Sequence, residues 1–453
     1  MPNQLGDHAI VIGGSIAGLL SARVHSDSFA CVTVLERDEL PNEPGIHKST
    51  PQGNHVHALL HGGELAIESL LPGFRADLDR LGALSWTAGR DVLFVSPSGI
   101  AYNGTGSVRE PRDLGFTGHV MSRGLLEYAL RQRTLATRNI TLRQGTSVEG
   151  LVVHEGRVHG VELQEASGSG ALEADLVVDA GGRASHAPRW LAAMGFGAIE
   201  ETTIGVDFAY TSAKFRKPAD SALKAPIVLA GGPPPKHTRG AGLFEIEGGI
   251  WHLSLAGRFG DYPPTDEAGF MNFAKELPAP MFYDWIRDAE RIGPITHHRF
   301  PTSVQRHYER VAGFPEGFLT IGDAICSFNP VYGQGMSSAA LQAKALQGVL
   351  SGRQSRRLEG LAGEFFPRAA DVVSAPWILA ANFDFAYPQT KGQRPPAMEE
   401  GARYFAVLDA LQAEDIEVQR LVLEVFQLMK PLAALWGDPI RERVLSRLQR
   451  HAK

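Results

Sequence analysis

The segment Ala9-Ile10-Val11-Ile12-Gly13-Gly14-Ser15-Ile16-Ala17-Gly18-Leu19-Leu20, with Val32-Thr33-Val34-Leu35-Glu36-Arg37 a short distance downstream, sets the architecture of this 453-residue chain. An apolar run suited to a buried strand enters a Gly-rich turn, and beyond it Leu19, Leu20, Ala22 and Val24 suit a helix that packs back on the strand. Such a turn leaves the first N–H groups of the helix unpaired, where the helix dipole favours an anion. The pattern is that of G-x-G-x-x-G with Ser15 in the place of the middle glycine; serine is small, and its hydroxyl is a donor for a phosphate. Glu36 closes the second apolar run at roughly the spacing of an acid that accepts from a ribose hydroxyl. Residues 13–18 and Glu36 together read as a dinucleotide site, with NAD, NADP and FAD all compatible.

Length and composition narrow the class. The chain is long enough for two or three domains, and 43% apolar with 21% charged residues is ordinary for a globular protein. A formal charge of −6, with no basic tail, makes no case for nucleic acid. Cys31 and Cys326 are the only cysteines and lie far apart, which excludes a disulfide framework and a cysteine-built metal site. No apolar run reaches the roughly 18 residues of a membrane span, and the N-terminus lacks a leader pattern, so the expected compartment is the cytoplasm.

Residues 41–53 read as a Pro- and Gly-rich loop folded over the ligand, with Lys48 as a phosphate contact. His55, His57 and His61 raise the question of a metal; no fourth ligand of the right kind is near, and no metal is expected. A helix is expected over 58–71, a strand at 91–95, and a helix capped by Ser122 with Arg123 in its first turn. An arginine there runs against the dipole preference, which points to service of a ligand. Strands follow at 140–145 and 148–153, a hairpin at Glu155-Gly156-Arg157, and a second strand-then-Gly turn at Asp179-Ala180-Gly181-Gly182-Arg183. Residues 204–300 read as a mostly antiparallel sheet, the substrate wall. The chain then returns to the cofactor through Gly322-Asp323 and the loop Phe328-Asn329-Pro330-Val331-Tyr332-Gly333-Gln334-Gly335-Met336, which opens a helix. From residue 358 onward the pattern is helical, with breaks near Pro388 to Pro396 and at Pro431.

With these segments in this order, the sequence resembles the single-component (group A-like) flavoprotein monooxygenases of the para-hydroxybenzoate hydroxylase fold. Within them, residues 50–57 and 328–336 look most like the branch that includes the polyether epoxidase of lasalocid biosynthesis. The resemblance implies an α/β fold: a discontinuous Rossmann-like, three-layer ββα FAD-binding domain over 1–85, 105–195 and 300–350. It also implies a mostly antiparallel substrate-binding sheet over 86–104 and 196–299 and a helical C-terminal region over 351–453. FAD would be held by Gly13, Gly14, Ser15, Ile16, Ala17, Gly18, Glu36, Arg37, Lys48, Arg123, Val148, Asp179, Gly322, Asp323, Pro330, Gly333, Gly335 and Met336. Two departures stand out: Ser15 for glycine, and Asp179-Ala180-Gly181 where the family has Asp-Gly.

The activity implied is insertion of one oxygen atom of O2, through a flavin C4a-hydroperoxide, into an alkene or an electron-rich ring of an apolar natural-product-type substrate. No second dinucleotide fingerprint is present, so NAD(P)H would visit transiently or a separate reductase would supply electrons. The cofactor performs the hard step, and no catalytic side chain is nominated. Phe328 and Tyr332 beside the flavin, with Phe208, Tyr210, Phe244 and Trp251 on the sheet, are the pocket candidates. The alternatives are an FAD-dependent reductase of isoprenoid double bonds and a non-catalytic flavin-binding redox module. A halogenase is less favoured because none of the six tryptophans forms a W-x-W pair.

Overall fold

Strand β1 (Gly6–Ile12), helix α1 (Ile16–Ser26) and strand β2 (Phe29–Leu35) build the expected βαβ unit. They belong to a computed structural model that describes residues 4–353 and 357–451. β1 is the central strand of a five-stranded parallel sheet. Its order is Phe318–Thr320, Leu176–Asp179, β1, β2, Ile140–Arg143. Ala9, Ile10 and Val11 are fully buried, because one face of the sheet carries α1 and the other the antiparallel meander Ser147–His154, Arg157–Glu165 and Gly168–Glu173. A strand covered on both faces has no polar side to show, hence its unbroken apolar run. Helices Arg123–Leu135 and Gly335–Ser351 flank α1 and complete the ββα layering.

The second sheet has eight strands and is antiparallel except where Ile227–Gly231 runs parallel to Val92–Ser96. Alternation along its strands separates two faces. Ala213, Phe215, Leu243, Trp251 and Leu253 turn outward and bury against the helices Glu267–Lys275 and Met281–Ile286. Tyr210, Ser212, His252 and Ser254 turn inward, toward the segment that carries Asn54 to Val56.

That segment accounts for a shifted helix start. The helix expected from residue 58 spans His61–Leu70, because the chain before it runs extended and the Leu60 N–H donates to Ser337 Oγ at 2.9 Å. At the C-terminus, Leu361–Asp384 continues through Pro367 and Pro376, and the helices Met398–Glu414, Ile416–Phe426 and Ile440–His451 close a small core of their own around Leu408, Val418 and Val444. No helix among the described residues is long and apolar enough to cross a membrane.

Candidate functional site

The parallel sheet aligns four turns at one edge. Ile12 is level with Leu35 and with Asp179, and Asp179 with Thr320, so the Gly13 turn, Glu36, Ala180-Gly181 and Gly322-Asp323 all follow the carboxyl ends of neighbouring strands. In open α/β sheets, ligands bind at this edge. The turns approach so closely that side chains are excluded. Gly13 has φ +104°, and a Cβ there would meet the Ala180 carbonyl oxygen at 2.8 Å. A Cβ on Gly18 would lie 1.8 Å from the Gly13 oxygen, and one on Gly322 2.6 Å from Ala17 Cβ. No side chain caps the N-terminus of α1, which leaves its first-turn N–H groups open to an anion.

Glu36 is buried and accepts from the backbone N–H of Gly14 at 2.8 Å and of Asp38 at 2.9 Å, which fixes its carboxylate beside the turn. Ser15 is committed elsewhere than its position in the motif suggests: its hydroxyl donates to Glu127 at 2.5 Å and accepts from Arg123 at 3.0 Å. Arg123 is buried, and its charge is answered by Glu127 one turn later on its own helix at 2.7 Å. This pairing, and not a ligand alone, explains an arginine at a helix N-terminus. Burial opposes ionisation of Glu127, yet Arg123 and hydrogen bonds from His47 and Ser15 hold its carboxyl well below the usual range. Glu127 is the site residue that sequence reading missed, although its i,i+4 spacing from Arg123 is visible. His47 donates through Nδ1 to Asp38 at 2.9 Å and faces Glu127 with Nε2 at 3.5 Å, which ties the 41–53 loop down over the turn.

On the next turn along the edge, Asp323 stands half-buried, and among the described residues no protein donor reaches its carboxylate; burial pushes its pKa up, against Arg123, Arg183 and Arg306. Gly335, which opens the following helix, sits beside Asp323 Oδ1, and that helix also has no side-chain cap. Gly333 turns with φ +65° against Ala58, and Met336 packs on the main core. Asp179 shapes its own turn at the sheet edge: its carboxylate accepts from the Gly181 N–H at 2.7 Å and the Ser185 hydroxyl at 2.6 Å. Lys48 and Pro330 are exposed, Arg37 donates to Ser49 at 2.5 Å, and Val148 is half-buried against the core.

Of the pocket candidates, Phe208 and Tyr210 cluster with Phe300, and Phe244 lies with Val56 and Ala58 near the loop. Trp251 is a correction: alternation places it on the outer face, in the core with Phe215 and Phe270. Phe328 is buried in the main core. Tyr332 anchors the loop before the last helix of the site. Its hydroxyl, Asn329 Nδ2 and Arg258 Nη1 all donate to Asp384 Oδ1, at 2.7, 2.9 and 2.8 Å. Tyr332→Phe removes a hydrogen bond to a charged acceptor and is expected to cost about 1.5–3 kcal/mol, read as a lower urea midpoint.

The three histidines raised as ligands do not converge: His55 Nδ1 bonds Ser212, His57 Nδ1 bonds the His55 carbonyl, and His61 stacks on Phe116. Glu36, Asp38 and His47 do bring ligand atoms within 4.8 Å of one another, but they are engaged with one another and with backbone N–H groups.

No protein-family model matches the chain. It is similar over its whole length to solved flavoproteins. A flavoprotein/dehydrogenase from Cytophaga hutchinsonii superposes with TM-score 0.67 at 12% identity, covering 99% of this chain and 100% of that one. The flavin-dependent brominase Bmp2 gives 0.66 at 14%, with 98% and 100% covered. The p-nitrophenol 4-monooxygenase PnpA from Pseudomonas putida DLL-E4 gives 0.65 at 16%, with 94% and 99% covered. These likenesses show that the α/β fold is the one shared by flavin-dependent monooxygenases and halogenases. In sequence the chain is 33% identical over 452 residues to Protein Rv3254 of Mycobacterium tuberculosis, covering 97% of this chain and 93% of that protein. On that identity and coverage, the chain belongs to the family of Protein Rv3254.

Proposed function

We propose that this protein is an FAD-dependent monooxygenase that places one oxygen atom of O2 on an organic substrate, by epoxidation of an alkene or hydroxylation of an electron-rich ring. The observation that carries the reading is one sheet edge that brings together the uncapped N-terminus of α1, the ribose-type acid Glu36 and the Gly322-Asp323 turn, with the uncapped N-terminus of the Gly335–Ser351 helix beside the Asp323 carboxylate. These fit a dinucleotide with a long hydroxylated linker. The first turn of α1 would take the pyrophosphate, Glu36 the adenosine ribose, and Asp323 a hydroxyl of the linker. The N-terminus of the Gly335–Ser351 helix would lie beside the flavin ring, where its dipole favours the negative charge that builds on reduction.

Bound and reduced, FAD supplies activation of O2. The chain's own residues do the rest. The His47 and Tyr332 anchors hold two loops in place over the cleft, and the sheet wall shuts out water that would divert the reaction. The sequence carries no second dinucleotide fingerprint, and the reductant we propose is NAD(P)H visiting transiently or a separate reductase. The lasalocid-epoxidase branch of the family is the reading that the loop sequences favour.

Glu36→Ala and Asp323→Ala are each expected to lower flavin occupancy of the purified protein by at least about tenfold, near 1.4 kcal/mol, with the fold unchanged by circular dichroism. The activity is tested by reducing the holoenzyme anaerobically, adding isotope-labelled dioxygen with a panel of lipophilic alkenes and phenols, and weighing the products. Label in a product supports an oxygenase. Reoxidation with no labelled product, or a purified protein without flavin, would move the assignment to the reductase or binding-module reading.

A further inference from the structure

The loop that leads into the second uncapped helix N-terminus is held from outside the segments assigned to FAD. Asp384 is the last residue of the long C-terminal helix Leu361–Asp384, and it is fully buried. Its Oδ1 collects Tyr332 Oη and Asn329 Nδ2 from the loop and Arg258 Nη1 from the end of the sheet strand Ile250–Arg258. Arg258 Nη2 also reaches Tyr332 Oη, at 3.4 Å, and closes the ring of contacts. Among the described residues Oδ2 has no partner, so all that this carboxylate holds it holds through one atom.

Each arm of the assembly is fixed. The Arg258 guanidinium lies between the rings of Phe208 and Tyr387, 5.2 and 5.0 Å from their centroids, which sets the plane of its fork. Asn329 is fully buried and engaged at both ends, since its Oδ1 accepts from the Val331 N–H at 3.3 Å. From behind, the Asp384 carbonyl accepts from the Thr390 hydroxyl at 2.5 Å and the Tyr387 N–H at 3.2 Å. The carboxylate is the fixed point, and the loop hangs from it. Beyond Tyr332 only Gly333, with φ +65°, and Gln334 precede the helix that begins at Gly335 beside Asp323. Displacement of the loop therefore passes straight into the first turn of that helix.

A buried ion pair adds little stability over apolar residues of the same volume, whereas charge-assisted hydrogen bonds fix direction. We infer that Asp384 is a positioning residue of the flavin site: its Oδ1 sets the Asn329–Gly333 loop, and through Arg258 it locks that loop to the substrate sheet. The helix N-terminus beside the flavin is then aimed by a residue of the C-terminal region. The inference deepens the oxygenase reading and rests on it.

The test compares the paired variant Arg258→Met/Asp384→Leu, which removes both charges together, with Tyr332→Phe, which leaves the ion pair in place. The control is Phe282→Leu, which trims a fully buried ring on the outer face of the sheet. Hydrogen exchange is followed at residues 331–333, whose amides bond within the loop to Asn329 and Pro330, and the midpoint potential of bound flavin is read alongside. Exchange there is expected to be at least about tenfold faster in the paired variant and in Tyr332→Phe, and unchanged in the control. The potential of the paired variant is expected to fall by about 30 mV, which corresponds to a tenfold loss of preference for the reduced form of a two-electron couple. Unchanged exchange in both variants, an equal rise in Phe282→Leu, or faster exchange with an unmoved potential would overturn the assignment. If the paired variant does not fold, the exchange and potential of Tyr332→Phe decide. Absence of flavin from the purified protein would count against the oxygenase reading alone, since exchange still reports whether Asp384 sets the loop.

Discussion

Gly18→Ala is expected to yield protein without bound flavin and with sharply reduced thermal stability. The methyl group would lie 1.8 Å from the Gly13 carbonyl oxygen and 2.9 Å from its carbonyl carbon, both backbone atoms that no rotamer change can move. Either α1 lifts away from the turn or the turn opens, and each disrupts the N–H groups proposed to hold the pyrophosphate. The expected cost is at or above the upper end of the roughly 1–3 kcal/mol usual for overpacking. Gly401→Ala is the control. Gly401 lies inside the helix Met398–Glu414 with nothing within 4 Å of an added Cβ, so alanine there is expected to stabilise by up to about 1 kcal/mol. Flavin absorbance and melting temperature of the two variants separate a local clash from a general intolerance of methyl groups.

Steep loss of stability in mild acid is the second large effect. His25, His55 and His252 are buried and His57 is half-buried, and loss of solvation drives the pKa values of His25 and His57 from 6.5 to about 4 and those of His55 and His252 to about 3. Below pH 6.5 the unfolded chain takes up these protons while the folded chain refuses them, so stability falls as pH falls. Well below pH 6.5 each histidine contributes about 1.4 kcal/mol per pH unit, and the four together about 5–6 kcal/mol per unit until the folded protein itself titrates. His47 and His119 act with the opposite sign: their carboxylate partners outweigh burial and raise their pKa values, so the stability they add fades as pH rises through those raised values. The maximum is expected near neutrality. Urea midpoints taken at several pH values between about 7 and 5 would show the slope, and His25→Gln should remove about one quarter of it. A flat profile over that interval would contradict the buried neutral state of these rings.

What could be read from the sequence divides along a physical line. Features set by residues close in the chain were legible: the β1–α1–β2 unit, the hairpin turn at Glu155-Gly156, and the Ser122 cap, whose Oγ accepts from Leu125 N at 3.1 Å. Strict alternation along Ile250–Arg258 also carries the fact that Trp251 shares a face with Leu253 and Leu255, and its aromatic character drew it wrongly to the pocket. Features made by distant segments were not legible. Nothing local to Asp384 announces that it will collect Arg258, Asn329 and Tyr332 from two other parts of the chain. Asp179 shows the limit of a motif: its position at the sheet edge was right, while the direction of its carboxylate depended on Ser185, a partner outside the pattern.

The strand order of the parallel sheet bears on how the protein is made. Leu176–Asp179 is buried at every residue, yet its outer neighbour is Phe318–Thr320, synthesised about 140 residues later. During translation the first four strands can assemble while Leu176–Asp179 still offers a bare, apolar hydrogen-bonding edge to any passing chain. Five of the eight strands of the second sheet, between residues 201 and 306, must emerge before that edge is closed. Yield of this protein in a host cell should therefore depend on chaperone capacity during that interval more than on the stability of the finished fold.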